Sequence, residues 1–253
     1  MQGWSNLPDK FAENVRLLEE KNPGYTHMRW DEAMLRLECT ALSPECLKKF
    51  DSFKYMVQKV EFGRYVVAYR YGGVTVDLDM KSIGSIDSTP GLHEHDFMVS
   101  QAAYPFGACG GINNALLIVS KEHPTLKAII DTIVSENLHE RDFLVKELYI
   151  HATTGPQFFT RMVRAHESIH VLSHDYYEPC MSVDPFCSVR PHTIMDHQHE
   201  LSWMSPFFKF VTQIAFFLLY SPWILVVSLF TVYYWKQKSR KNLSTLPLPL
   251  QQV

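Results

Sequence analysis

The sequence predicts an α/β domain over residues 1–205, an apolar membrane segment over 206–235 and a basic, then Pro/Leu-rich, tail over 236–253. Three observations carry this division. Helix and strand patterns alternate along the first two hundred residues, as in proteins that pack helices on a sheet. No charged residue stands between Phe210 and Trp235. No Asp or Glu follows Glu200, whereas Lys209, Lys236, Lys238, Arg240 and Lys241 do, so a chain of net charge -3 is acidic in front and basic behind. With 253 residues, 46% hydrophobic and 13% aromatic, the chain has material for a real core and is not disordered. Eleven Gly and 14 Pro exclude collagen-like and low-complexity classes. An acidic front part argues against nucleic acid as a partner, since phosphate contacts need clustered Lys and Arg.

Taken in order, residues 9–20 form an amphipathic helix with Phe11, Val15, Leu17 and Leu18 to one side, stopped by Asn22-Pro23-Gly24. A second short helix starts near Asp31. From Lys54 to Tyr71, Met56, Val60, Val66, Val67 and Tyr69 follow helical spacing, and Gly72-Gly73 ends the helix. Val74 to Leu78 is a short buried strand; Phe97-Met98-Val99 and Leu116 to Val119 are two more. His123-Pro124 opens a helix through Ile129, Ile130 and Ile133. Cys39 with Cys46, and Cys180 with Cys187, are each spaced to close a short loop.

The run from Phe210 to Trp235 exceeds the ~20 apolar residues that cross a hydrocarbon layer. Trp203 and Phe207 before it, and Tyr233, Tyr234 and Trp235 after it, suit interfacial belts. Pro222 should kink or split the segment, giving a transmembrane helix or a hairpin. The basic cluster 236–241 favours a cytosolic tail, yet the start MQGWSNLPDK is no signal peptide. Both orientations of the front domain therefore stay open. Asn242-Leu243-Ser244 spells a glycosylation acceptor within the basic tail.

The chemistry is concentrated in Arg64-Tyr65-Val66-Val67-Ala68-Tyr69-Arg70-Tyr71-Gly72-Gly73-Val74-Thr75-Val76-Asp77-Leu78-Asp79. A helix ends on two glycines, a strand follows, and two carboxylates leave its carboxyl end, where open α/β sheets bind ligands. Two Asp one residue apart suit a divalent cation that keeps other positions for diphosphate oxygens; Mg2+ and Mn2+ both accept such ligands. Asp-x-Asp after a strand also opens haloacid-dehalogenase-like phosphoryl transferases, but these expect Thr where Lys81 stands.

This string closely resembles the signature of the DXD sugar-binding glycosyltransferases, the family of initiating α-1,6-mannosyltransferases and mannosyl inositol phosphorylceramide synthases. The resemblance extends over roughly residues 4–203 through Asn22-Pro23-Gly24-Tyr25 with Trp30, Asn113-Asn114, His123-Pro124, Thr154-Gly155-Pro156 and His197 with Ser202-Trp203. It implies a GT-A-type nucleotide-sugar-binding fold. Asp77 would face the ribose or the metal, Asp79 would be the principal metal ligand, and His197 (or His199) would complete the site for Mn2+ or Mg2+. Arg64 and Glu61, with Tyr65 and Gly73 of the same signature, would hold the donor. Asn113 or Asn114 would face the sugar, and Ser202 and Trp203 would close over the diphosphate. Glu61 stands where the family usually has Asp, Thr75 where it has Tyr, and the family's first strand, which precedes a Trp matched by Trp4, has no counterpart.

The function implied is a membrane-anchored, metal-dependent, retaining hexosyltransferase of the Golgi or another endomembrane. Its expected donor is GDP-mannose and its acceptor inositol phosphorylceramide. UDP-galactose or another donor with a protein or lipid glycan acceptor, or a degenerate transferase that only binds partners, are the alternatives, and homo- or hetero-oligomers are open.

Overall fold

A computed structural model describes residues 4–103, 106–181, 187–220 and 226–235 and divides the chain into two units, one ending at Met204 and one beginning at Ser205. The first unit is mixed α/β. Its main sheet has the order β1 (Gly73–Val76), β4 (Ile112–Val119), β3 (Phe97–Gln101), β5 (His170–Leu172). Only β3 and β5 run parallel; β4 is antiparallel to both its neighbours. Thus the α/β expectation holds as a mixed sheet and not as a parallel one. A separate ribbon pairs β2 (Met80–Ser82) with β6 (Met195–His197).

β4 is buried along its whole length, which its apolar sequence requires, because both sheet faces are covered. Ile112, Leu117 and Val119 join Phe97 and Val99 in one core. Ala115, Leu116 and Ile118 join Met98 in the other, together with Met80, Leu172, Tyr177 and Met195. Alternation along a strand sends neighbours to opposite faces.

The helices are α1 (Asp9–Lys21), α2 (Glu32–Leu42), α3 (Pro44–Ser52), α4 (Met56–Tyr71), α5 (Pro124–Ser135), α6 (Lys146–Thr153), α7 (Pro156–Arg164) and the single turn α8 (His174–Tyr177). Asp31 caps α2 by accepting from the Met34 N–H at 2.8 Å, so the expected start near Asp31 is found. Ser43 caps α3 and Pro44 opens it, a start signal that the apolar pattern alone did not reveal. Helix α4 lies at the centre of the first core, with Gln58, Glu61, Phe62, Gly63, Arg64, Tyr65, Val66, Val67 and Ala68 all buried. Four of these, Gln58, Glu61, Arg64 and Tyr65, carry polar groups that must find partners inside. Gly72 closes α4 at φ +69, where any Cβ would come within 2.6 Å of the Lys121 nitrogen; glycine alone fits this turn into β1.

In the second unit, α9 spans Pro206–Tyr220, and residues 226–235 are helical. Among the described residues no helix is long and apolar enough to cross a membrane. The expected membrane segment over 206–235, a transmembrane helix or a hairpin, therefore has no spanning helix among the described residues to support it. The 15 residues of α9 reach about 22 Å, against the ~30 Å of a bilayer core. Pro222, expected to break the run, and the tail with its basic cluster and Asn242-Leu243-Ser244 lie outside the described residues. Phe207, Phe210, Ile214 and Phe217 of α9 are nonetheless exposed. Of the two cysteine pairs, Cys180–Cys187 is a disulfide, while Cys39 and Cys46 are free and buried.

Candidate cation and donor site

Asp77-Leu78-Asp79 turns the chain from β1 into β2. Asp77 still belongs to the sheet through its N–H, which donates to the Ala115 carbonyl at 2.9 Å. Because β1 and β4 are antiparallel, the carboxyl end of β1 lies beside the start of β4, and this brings Asn113 and Asn114 to the motif. The ladder between β3 and β4 shifts register here: Val99 pairs with Leu117 but Ser100 with Asn113. Such irregularities re-aim side chains next to functional sites.

From below, α4 supplies Arg64. Its Nη2 donates to Asp77 Oδ1 and its Nη1 to the Asn114 carbonyl; the Arg64 side chain is 9% exposed and that of Asp77 30%. Glu61, one turn earlier, does not pair with Arg64. It accepts from Thr154 Oγ1 at 2.6 Å and from Asn114 Nδ2 at 3.4 Å. Tyr65 Oη donates to the Thr154 carbonyl at 2.9 Å and accepts from Asn114 Nδ2 at 3.2 Å. Arg64 and Glu61 thus belong to two neighbouring networks that share Asn114. Burial raises the Glu61 carboxyl to about 7, against the pull of Thr154 and Arg64. Burial also raises Asp77, opposed first by Arg64.

The Glu61 shift has a testable sign. From pH ~4.5 to ~7 the folded state keeps a proton that the unfolded chain releases, so stability falls as pH rises through this window, by about 3 kcal/mol in all. Glu61→Gln retains an oxygen acceptor and adds a donor without the charge. It should melt above the wild type at pH 8 and level with it at pH 4.5; a gap independent of pH contradicts the assignment.

The other half of the site comes from the ribbon. Met80 pairs with His197, which sets His197 against Asp79. Asp79 Oδ2 lies 3.4 Å from His197 Nε2 and accepts the Glu200 N–H at 2.9 Å. The Asp79 carbonyl accepts the Gln198 N–H at 2.9 Å. On the far side of the ring stands Glu178, which follows α8 directly. Its Oε1 is 3.7 Å from His197 Nδ1 and 3.4 Å from His199 Nε2, and its Oε2 accepts from Asn113 Nδ2. Ligand atoms of Glu178, His197 and His199 lie within 4.8 Å of one another. His199 holds φ +49, a left-handed conformation that non-glycine residues adopt at a cost and that clusters at functional sites.

Charge is arranged unevenly in this cluster. Burial alone would strip His197 of its proton, but Asp79 and Glu178 on either side push it up to about 10. His199 goes down to about 4, from burial and then from the neighbouring His197. Asp79 is held at about 2: burial opposes its charge, and His197 and the Glu200 N–H outweigh burial. His197 moves further than Asp79 because it faces two carboxylates. The two carboxylates and the imidazole nitrogens, once His197 gives up its extra proton, suit Mn2+ well, and Mg2+ through the oxygens.

Asn14 is a buried participant that the sequence did not single out. Its Nδ2 donates to the Leu78 carbonyl at 2.8 Å and to Gln198 Oε1 at 3.0 Å, tying α1 to both the motif and the histidine segment. The signal was its place three residues after Phe11 and four before Leu18, on the inward stripe of α1.

Of the expected residues, the structure gathers Asp77, Asp79, Arg64, Glu61, Tyr65, Asn113 and His197 around the end of β1. Gly73 lies at the other end of that strand, opposite Val119. Trp203 sets its ring 5.4 Å from that of His151 on α6, and its carbonyl accepts from Lys146 Nζ at 3.5 Å. Ser202 is exposed.

Comparison with known proteins agrees with this geometry. Residues 8–96 match the family model described as glycosyltransferase sugar-binding region containing DXD motif. Inositol phosphoceramide mannosyltransferase 3 of Schizosaccharomyces pombe is 24% identical over 63% of this chain and 42% of its own. Inositol phosphoceramide mannosyltransferase 1 of the same yeast is 24% identical over 66% and 52%. A mannosyl phosphorylinositol ceramide synthase of Saccharomyces cerevisiae is 21% identical over 62% and 39%. The chain thus spans about half the length of the curated relatives it matches. Residues 8–96 are thus similar to glycosyltransferase sugar-binding regions that contain the DXD motif, and Asp77-Leu78-Asp79 within them has the Asp-x-Asp form that this description names.

Proposed function

We propose that the protein is a membrane-associated, metal-dependent hexosyltransferase that moves mannose from GDP-mannose to an inositol-phosphate sphingolipid, with retention at the anomeric carbon and on a GT-A-type domain. The observation that carries the reading is the Asp-x-Asp turn with His197 Nε2 3.4 Å from Asp79, inside a chain whose relatives include inositol phosphoceramide mannosyltransferases.

In this reading Asp79 and His197 hold Mn2+ or Mg2+, which supplies neutralisation of the diphosphate leaving group. The chain's own residues do the rest. Arg64 is locked by Asn114 and fixes Asp77, so the Asp77 carboxylate is presented to the donor in one orientation. Glu61, Thr154 and Tyr65 brace Asn114 from beneath. Asn113 faces the sugar, and Ser202 and Trp203 close over the diphosphate. No side chain is assigned as general base; the departing phosphate takes the acceptor proton.

The exposed aromatic and aliphatic side chains of α9 and of residues 226–235 support insertion of this segment in an endomembrane, where a lipid acceptor is also found. Purified full-length protein should transfer label from GDP-mannose to inositol phosphorylceramide in a manganese-dependent manner, with UDP-galactose and other nucleotide sugars as controls. Absence of both transfer and donor hydrolysis with every nucleotide sugar overturns the enzyme. Thermal stabilisation by GDP and manganese without turnover marks a binding protein instead.

A further inference from the structure

We infer that Glu178 is a direct ligand of a divalent cation, in a cluster with His197 and His199. The inference deepens the metal-dependent reading above and rests on it for the presence of an ion.

Asp77 is poorly placed to bind a cation. Its Oδ1 is occupied by the Arg64 guanidinium, and that guanidinium is anchored in turn to the Asn114 carbonyl. A second positive charge at the same carboxylate would have to displace or oppose a buried arginine, which is costly. Glu178 is placed in the opposite way. It is 4% exposed, and the imidazoles of His197 and His199 are set against it.

Its two oxygens also have separate tasks. Oε2 is held by Asn113 Nδ2. The Asn113 amide cannot turn over freely, because its Oδ1 accepts the Ala115 N–H at 2.7 Å. Oε1 is left facing the histidines. A carboxylate with one oxygen fixed by an amide and the other aimed at imidazoles is how ligands are oriented by their outer shell. The separation agrees. Glu178 Oε1 to His199 Nε2 is 3.4 Å. That is longer than the usual hydrogen bond of ~2.7–3.2 Å. It matches two ligands that each stand ~2.1 Å from one ion at an angle a little above 100°.

The test uses the full chain and Mn2+ alone, titrated without nucleotide and followed by the electron paramagnetic resonance of the free ion. Glu178→Gln keeps an oxygen for Asn113 and should weaken Mn2+ binding at least tenfold, while Asp77→Asn leaves it within threefold. Glu178→Gln binding Mn2+ within twofold of the wild type overturns the inference, as does a tenfold loss confined to Asp77→Asn. If Glu178→Gln lacks a cooperative melt, Glu178→His decides. A ligand position given an imidazole should raise the preference for Co2+ over Mn2+ about tenfold; an unchanged preference refutes direct ligation. Because no sugar donor is present, a protein that binds Mn2+ in this pattern yet transfers no hexose refutes the proposed function and leaves Glu178 as a ligand.

Discussion

Asp79→Asn is expected to lower hexose transfer about a thousandfold, equivalent to ~4 kcal/mol of transition-state stabilisation, in a protein that remains folded. Asp79 joins the two halves of the site: its backbone leaves the β1 turn, and its carboxylate faces His197 and accepts the Glu200 N–H. Asn can still accept from Glu200 but offers no charge to a cation or to His197. A stability cost accompanies the loss. The folded-state carboxyl, at about 2, lies below its ordinary value. The stabilisation is therefore present above pH ~4, amounts to about 2 kcal/mol and disappears as pH falls through 2. Steady-state transfer kinetics and melting at pH 7 separate the two effects; transfer within tenfold of the wild type contradicts the role given to Asp79.

Arg64→Met should be the most destabilising single change in the site, by about 3–5 kcal/mol. It leaves Asp77 without its cation and the Asn114 carbonyl without its donor, both in a largely buried setting. For a unit of this size that amounts to a fall in the unfolding midpoint of roughly 6–20 °C. The double variant Arg64→Met/Asp77→Leu should recover much of the loss, since no uncompensated carboxylate remains; a loss equal to the sum of the single changes means the pair is not coupled. Mn2+ binding is expected to survive in the double variant, which separates the stabilising role of this pair from the cation cluster.

What the sequence made legible follows from distance along the chain. Glu61, Arg64 and the Asp-x-Asp turn lie within twenty residues, and helical and strand spacing fix their relations locally. The second half of β4 was readable because Leu116 to Val119 is a continuous apolar run. Glu178 was not readable. It follows a helix of a single turn, α8, and meets His197 only through the three-residue pairing of β2 and β6, a contact with no periodic signal. The doubt between His197 and His199 arose because they are two residues apart; the structure puts both on Glu178 and only His197 on Asp79. Asn14 was hidden for a different reason, since a polar residue on an apolar stripe resembles noise until its partners are seen. The glycosyltransferase resemblance supplied roles for Ser202 and Trp203 that geometry at the end of β1 does not by itself suggest.

The ribbon of β2 and β6 bears on how such motifs are recognised. The matched segment stops at residue 96, yet the imidazole that answers Asp79, that of His197, arrives a hundred residues later, carried by three pairs of backbone. Inspecting the acidic tripeptide alone therefore cannot tell a competent catalyst from a relic. A descendant that kept every letter of the motif but lost the late strand would keep Asp79 and lose the imidazole set against it.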